Sequence, residues 1–290
     1  MKIKNNQKIS AIQKIAKKNE KEIIKLCANL PDQRKTIKAT SLKFVDILYL
    51  SVLFHAAEKR EGDTIYGLKQ DRLLFPLDNG ILFVHLLKKK IISLNPSEPY
   101  KSVKFENKKI INIDLHKEAW IVNIDLGLCF IALHHAWINS TKVHPALMDK
   151  WKSHLRKVWL DITLYEAIEF MMIKLFEYGL ILNISMKLKS LLLKLLDTLS
   201  AGQAFKIVNE ICYSCIFHFE KLEENNEEKI NNFIMEELEL ANVKLKKGEL
   251  LLAQIDRPAI CTRSLISHVF FNDHYKFSGD EAFEYFPYHL

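Results

Sequence analysis

The sequence predicts a mainly α-helical protein with a small antiparallel β-sheet. Three observations lead there. Gly 8 and Pro 7 in 290 residues lie well below average usage, which weakens any fold built on many tight turns. Apolar residues recur three and four apart along most of the chain, the period of a core-facing helical stripe. One stretch, 103–126, instead alternates apolar and polar residues, the period of a strand with one buried face.

Taken in order, Ile9, Ile12, Ala16, Ile23 and Cys27 share one helical face, with Lys14, Lys17, Lys18, Lys21 and Lys25 around the rest. This is a basic amphipathic helix ending before Pro31, followed by a polar linker to Thr40. Val45, Leu48, Tyr49, Val52, Leu53 and Ala56 predict a helix from Ser41 to about Lys59, stopped by Glu61-Gly62-Asp63. Asp78 stands as an N-cap before a helix over Asn79–Lys90, whose lysines gather at the C-terminal end as the helix dipole favours. Three runs around Val103–Phe105, Ile111–Leu115 and Trp120–Leu126 predict one small antiparallel sheet. Pro145 is a natural first residue for a long helix reaching Gly179. A helix over Met186–Leu199 follows. Ser200-Ala-Gly-Gln203 has the capping-box form and opens a helix to about Glu224. Glu227–Lys246 forms the next helix. A further one falls near Thr262–Phe271, and Ser278-Gly-Asp-Glu281 caps a last short one.

Helix, short element, helix and then a basic hairpin region is the order of a winged-helix module, with Lys101–Leu126 as the wing. The expected organisation is therefore a basic helix and linker (1–40), a winged-helix-like module (41–127) and a C-terminal helical domain (128–290).

Charge is segregated. Lys+Arg 42 against Asp+Glu 35 gives +7, yet residues 1–40 alone carry +8 and the remainder −1. A second basic stretch runs from Lys88 to Lys109, and an acidic one from Glu220 to Glu239. Segregation of this kind suits an anionic partner of the N-terminal half and argues against a uniformly basic protein. Lys14, Lys17, Lys18, Lys88, Lys89, Lys90, Lys101, Lys104, Lys108 and Lys109 are the expected phosphate contacts. Base reading is not expected from the 79–90 helix, because Ile81, Leu82, Phe83, Val84, Leu86 and Leu87 leave it only Asn79 and His85.

Five scattered cysteines are no disulfide framework, the first residues lack the apolar core of a signal peptide, and the longest apolar runs are too short to span a bilayer. A cytoplasmic protein with no membrane association is expected. Cys212-Tyr-Ser-Cys215 with His218 is half a zinc site, but its surroundings are so apolar that two small core thiols fit better. No metal or other cofactor is expected.

Arg263-Ser-Leu-Ile-Ser-His268 has the Arg-x4-His spacing of HEPN-type ribonucleases, helical proteins of bacterial toxin and defence systems. That resemblance implies Arg263 and His268 facing a phosphodiester across a dimer interface, with His268 as general acid or base. The competing reading is a turn arginine and a surface histidine. Leu199–Gln203, Arg257-Pro258, Ser264–Phe271, Gly279–Phe283 and Pro287 together resemble an uncharacterised family of bacterial proteins. The resemblance covers about the last third of the chain and implies a bacterial source without an activity.

The function expected from all this is a non-catalytic binding or adaptor protein of a bacterial accessory system (defence, mobile-element or regulatory), contacting DNA or RNA backbone non-specifically. The alternatives are the ribonuclease on Arg263 and His268, and a structural module whose apolar helix faces bind a protein partner.

Overall fold

The computed structural model describes residues 17–28, 36–71, 73–97, 101–106, 109–125, 145–221, 226–250 and 253–284. They fall into two compact units. A sheet-bearing unit takes in 17–154 and Arg263–Lys276; a helical unit takes in Leu155–Thr262 and 277–284. The protein is thus mainly α with a small antiparallel sheet, as its periodicity predicts. Among the described residues no helix is long and apolar enough to cross a membrane.

In the sheet-bearing unit, helix α1 (17–28) buries Ile23 and Cys27, four apart and so on one face. Helix α2 (Phe44–Ala56) is apolar on nearly every side, burying Phe44, Ile47, Leu48, Leu50, Val52 and Leu53. A helix of that kind has to be enclosed by its neighbours, and α2 is packed by five other elements of the unit.

The helix expected to reach Lys59 ends at Ala56, where the chain turns extended and enters β1 (Ala57–Glu61). Glu61-Gly62-Asp63 is therefore not a helix stop but a hairpin corner. Glu61 pairs with Thr64 at the start of β2 (Thr64–Leu68), and Gly62 takes φ 57° as the first residue of a two-residue turn, a position that glycine fills without steric cost. The charged sequence of β1 reads as a helix tail because it is an exposed edge strand. Its Lys59 and Arg60 discourage further strand pairing.

Helix α3 (Gly80–Lys88) follows, with Asp78 Oδ1 accepting from the Gly80 amide at 2.9 Å. After it come β3 (Ile92–Leu94), β4 (Lys104–Glu106), β5 (Lys109–Asn112) and β6 (Ala119–Val122). The three alternating runs do not make one sheet. β4 and β5 form a separate two-stranded ribbon, whereas β6 is an interior strand of an antiparallel sheet ordered β1-β2-β6-β3. Trp120, fully buried on β6, meets Phe83 of α3 at 4.9 Å between ring centroids. A ring of that size inside the sheet explains the choice: β6 gains more by burial between two partners than it would at the end of a ribbon.

Helix α4 (Pro145–Glu177) starts on the proline that the sequence marks and belongs to the helical unit from Leu155 onward. Helix α5 (Met186–Leu196) is capped by the Ser185 hydroxyl, which accepts from the Leu188 amide at 3.1 Å. At α6 (Ala201–Lys221) the expected capping box forms: Ser200 Oγ accepts from the Gln203 amide and Gln203 Oε1 from the Ser200 amide. Helix α7 (Glu227–Lys247) is capped by Asn226. Phe205 of α6 stacks on Phe170 of α4 at 5.5 Å and meets Phe283 edge-on at 4.7 Å.

The helix expected over Thr262–Phe271 is shorter and changes type. Helix α8 (Leu265–His268) is one α-turn, continued by a π-helical segment, Val269–His274. The Tyr275 amide reaches back five residues to the Phe270 carbonyl at 3.2 Å.

Candidate functional site

The lysines of α1 follow from its period. Lys17, Lys21 and Lys25 recur every fourth residue, and Lys21 and Lys25 lie about 200° around the helix from buried Ile23. All three are exposed, as is Lys18. They form a row rising about 6 Å per step, interrupted only by Glu22 at its margin.

Contacts on the other side of α1 fix its place. Lys88 Nζ at the end of α3 pairs with Glu22 Oε1 at 2.6 Å, and Asn19 Nδ2 donates to Asp78 Oδ2 at 2.6 Å near the start of α3. Glu20, Ile23, Asp78, Gly80, Ile113 and Leu115 enclose a cavity of about 170 Å³, so the chain leaving β5 also lies against α1. Gly80 permits this approach: a Cβ there would stand 2.8 Å from Asn19 Cβ. Gly80→Ala should therefore push α1 outward despite the better helix propensity of alanine, which is worth only about 1 kcal/mol. Faster amide hydrogen exchange over 17–28 than over α2 is the expected readout.

The lysines at the end of α3 differ in what they do. Lys89 Nζ contacts both oxygens of Asp46, at 2.7 and 2.9 Å, and His85 Nε2 lies 2.6 Å from Asp46 Oδ1. Asp46 is 2% exposed. Burial opposes its ionisation, but hydrogen bonds from His85, Lys89 and the Lys43 amide outweigh burial and hold the carboxyl below its ordinary 3.8. Lys88 and Lys89 thus tie α3 to α1 and α2. Lys90, exposed, stands just beyond the helix, where its carbonyl accepts from Asn123 Nδ2 at 3.0 Å. Lys17, Lys18, Lys21, Lys25 and Lys90 have no carboxylate partner among the described residues.

The other expected contacts are distributed as follows. Lys104 is exposed on β4. Lys101 is exposed too, in a turn anchored by buried Glu118, which accepts from the Ser102 amide and hydroxyl at 2.5 and 2.6 Å and from the Lys101 amide at 3.4 Å. Lys109 belongs to β5 through its backbone. Lys14 and Lys108 lie outside the described residues.

Neither Asn79, just before α3, nor His85 on it is available to a base. Asn79 accepts from the Leu74 amide at 2.7 Å and meets His116 at 3.1 Å, and His85 is held by Asp46.

Cys212 and Cys215 are wholly buried in α6. Burial pushes both thiols up, Cys215 to about 12, which keeps them protonated and poor metal ligands. His218 stacks instead on Phe233 at 5.0 Å. Among the described residues no group of three His, Cys, Asp or Glu side chains is placed to hold a metal ion.

Arg263 Nη2 donates to the Ser267 carbonyl at 3.4 Å. His268, 43% exposed, has Nε2 3.9 Å from Asp273 Oδ1, and the other oxygen of Asp273 lies 3.7 Å from Nε2 of His55, itself 40% exposed. Sequence reasoning reaches neither His55 nor Asp273, because His55 meets Asp273 only through tertiary packing and the π-helical turn that carries Asp273 beside His268 leaves no recognised spacing in the sequence.

No protein-family model matches the chain, no curated protein is significantly similar to it, and no solved structure matches it.

Proposed function

We propose that this protein binds nucleic-acid backbone non-specifically through the exposed lysine face of α1 and the end of α3, as a binding or adaptor component of a bacterial accessory system. The observation that supports this reading is the row Lys17, Lys21 and Lys25, with Lys18 beside it on α1 and exposed Lys90 two residues beyond Lys88, which pairs with Glu22 of α1. These five ammonium groups lack carboxylate partners among the described residues, while neighbouring Lys88 and Lys89 are spent on holding the face together. Unpaired lysines in a row release counterions when phosphates replace them. The wing-position ribbon, with exposed Lys104, would add contacts to the same backbone. Sequence preference is not part of the reading, since Asn79 and His85 are engaged internally.

Fluorescence anisotropy of labelled single- and double-stranded 20-mers tests it. Four or five phosphate contacts should make affinity fall roughly a hundredfold between about 50 and 200 mM salt, alike for unrelated sequences. Failure to bind at the lower salt, or binding indifferent to salt, would end this reading.

A further inference from the structure

We propose that His55, Asp273 and His268 form a metal-independent acid–base site that cleaves RNA by internal transesterification. The two imidazoles flank one carboxylate, Nε2 of His55 at 3.7 Å and Nε2 of His268 at 3.9 Å from its two oxygens. Both histidines are some two-fifths exposed, whereas Asp273 is 28% exposed and its Oδ2 is buried with no hydrogen bond. The carboxylate, less exposed than either ring, stands between two imidazoles open to solvent, at ion-pair rather than hydrogen-bond distance.

The backbone is shaped to make this cluster. In a continuous α-helix Asp273 would stand about 140° around the axis from His268. The π-helical run Val269–His274, closed by the five-residue bond from Tyr275 to Phe270, brings residues five apart towards the same side. Single π-turns of this kind concentrate at functional sites. His274 is not part of the cluster; it is buried and packs against Phe44 and Phe270.

The charges facing His55 come from each neighbouring element: Asp273 from the π-segment, His268 from α8, Arg60 from β1 and Lys69 from the end of β2. Arg60 is steadied over the Phe54 ring at 4.6 Å. With one imidazole protonated the cluster is net cationic and suits a phosphodiester. Burial, and then the cations around it, hold His55 below its ordinary 6.5 in spite of Asp273. His55 is assigned the base, and His268, across Asp273 from it, the acid. In the reaction the ribose 2′-oxygen attacks phosphorus and gives its proton to His55. The bond from phosphorus to the 5′-oxygen breaks, and that oxygen takes a proton from His268. The products are a 2′,3′-cyclic phosphate and a free 5′-hydroxyl, and no water, metal or oxidant is consumed in the step.

This goes beyond the binding role and rests on it for the approach of the chain. Asp46, which anchors Lys89, and His55 stand nine residues apart on α2, about 14 Å along its axis.

The test incubates the full chain with a labelled, unstructured RNA 20-mer and its DNA counterpart in EDTA. RNA should be cut to cyclic-phosphate ends with a bell-shaped pH profile, and DNA should remain intact. His55→Ala, His55→Gln and His268→Ala should each slow cleavage about 100-fold or more, and Asp273→Asn by a smaller factor. Affinity for the DNA 20-mer, measured in the wild type and in all four variants, reads binding separately from cleavage. DNA binding without RNA cleavage, or cleavage at the wild-type rate in the histidine variants, overturns the catalytic proposal and leaves the binding reading standing. Loss of DNA binding in the wild type would instead remove the binding reading.

Discussion

Arg257→Ala should destabilise the helical unit by about 3–5 kcal/mol, the largest effect expected of any single substitution in it. Arg257 Nη1 lies 3.0 Å from Glu166 Oε2, and its Nε donates to Asp280 Oδ1 at 3.0 Å. The Arg257 side chain is 9% exposed and that of Glu166 only 2%. Burial works against the guanidinium charge, but Glu166, with Cys261 and Asp280, outweighs it and raises the pKa further above the ordinary range. Removing the arginine strands Glu166, whose Oε1 already has no hydrogen-bond partner. Most of the loss is the cost of that buried, unpaired charge rather than the worth of the pair. Two further results follow from this cause. Arg257→Lys should rescue little, because the three N–H groups of an ammonium radiate from a single nitrogen and do not reproduce donors set apart at Nη1 and Nε on a plane lying 4.8 Å over the Phe283 ring. The double variant Glu166→Met/Arg257→Met should recover most of the stability. Urea denaturation followed by circular dichroism measures all three. A loss below about 1 kcal/mol in Arg257→Ala would show that the pair is solvated and that this reasoning is wrong.

Asp46→Ala should cost the sheet-bearing unit about 2–4 kcal/mol, less than the Arg257 change because the Lys89 side chain remains 37% exposed. Three partners lose their acceptor at once: His85, Lys89 and the Lys43 amide at the start of α2. The pH dependence has a definite sign. Asp46 titrates lower folded than unfolded, so its contribution is complete above the unfolded value of about 4 and disappears as pH falls through the folded one. Wild-type stability should therefore fall in acid, and Asp46→Asn should flatten that fall while lowering stability at pH 7. An unchanged acid limb in the asparagine variant would mean that other carboxylates govern acid unfolding.

What the sequence reveals about this fold depends on how local the deciding force is. Capping is local, and the Ser200 box, the Asn226 cap and the Pro145 start can each be read from a few adjacent residues. Sheet membership is not local. Trp120 pairs with Ile65 and Leu94, across separations that alternation alone cannot assign, so a sheet is foreseeable but its partners are not. β1 escapes notice because its residues are charged and exposed on an edge, where neither burial nor period leaves a mark. In the lysine face, the row on α1 follows from its period, but which lysines remain unpaired depends on Glu22 and Asp46, 66 and 43 residues from their partners. A π-turn carries Asp273 beside His268, and tertiary packing brings His55 to the same carboxylate; sequence rules built on 3.6 residues per turn anticipate neither.

Mass-spectrometric footprinting of lysine acetylation, with and without a bound 20-mer, tests most directly whether the binding face is where these contacts place it. Lys17, Lys18, Lys21, Lys25 and Lys90 should be protected on binding, while Lys244, Lys246 and Lys247 at the end of α7 should react as they do in the free protein. Protection of the α7 lysines with the α1 row left reactive would contradict the assignment.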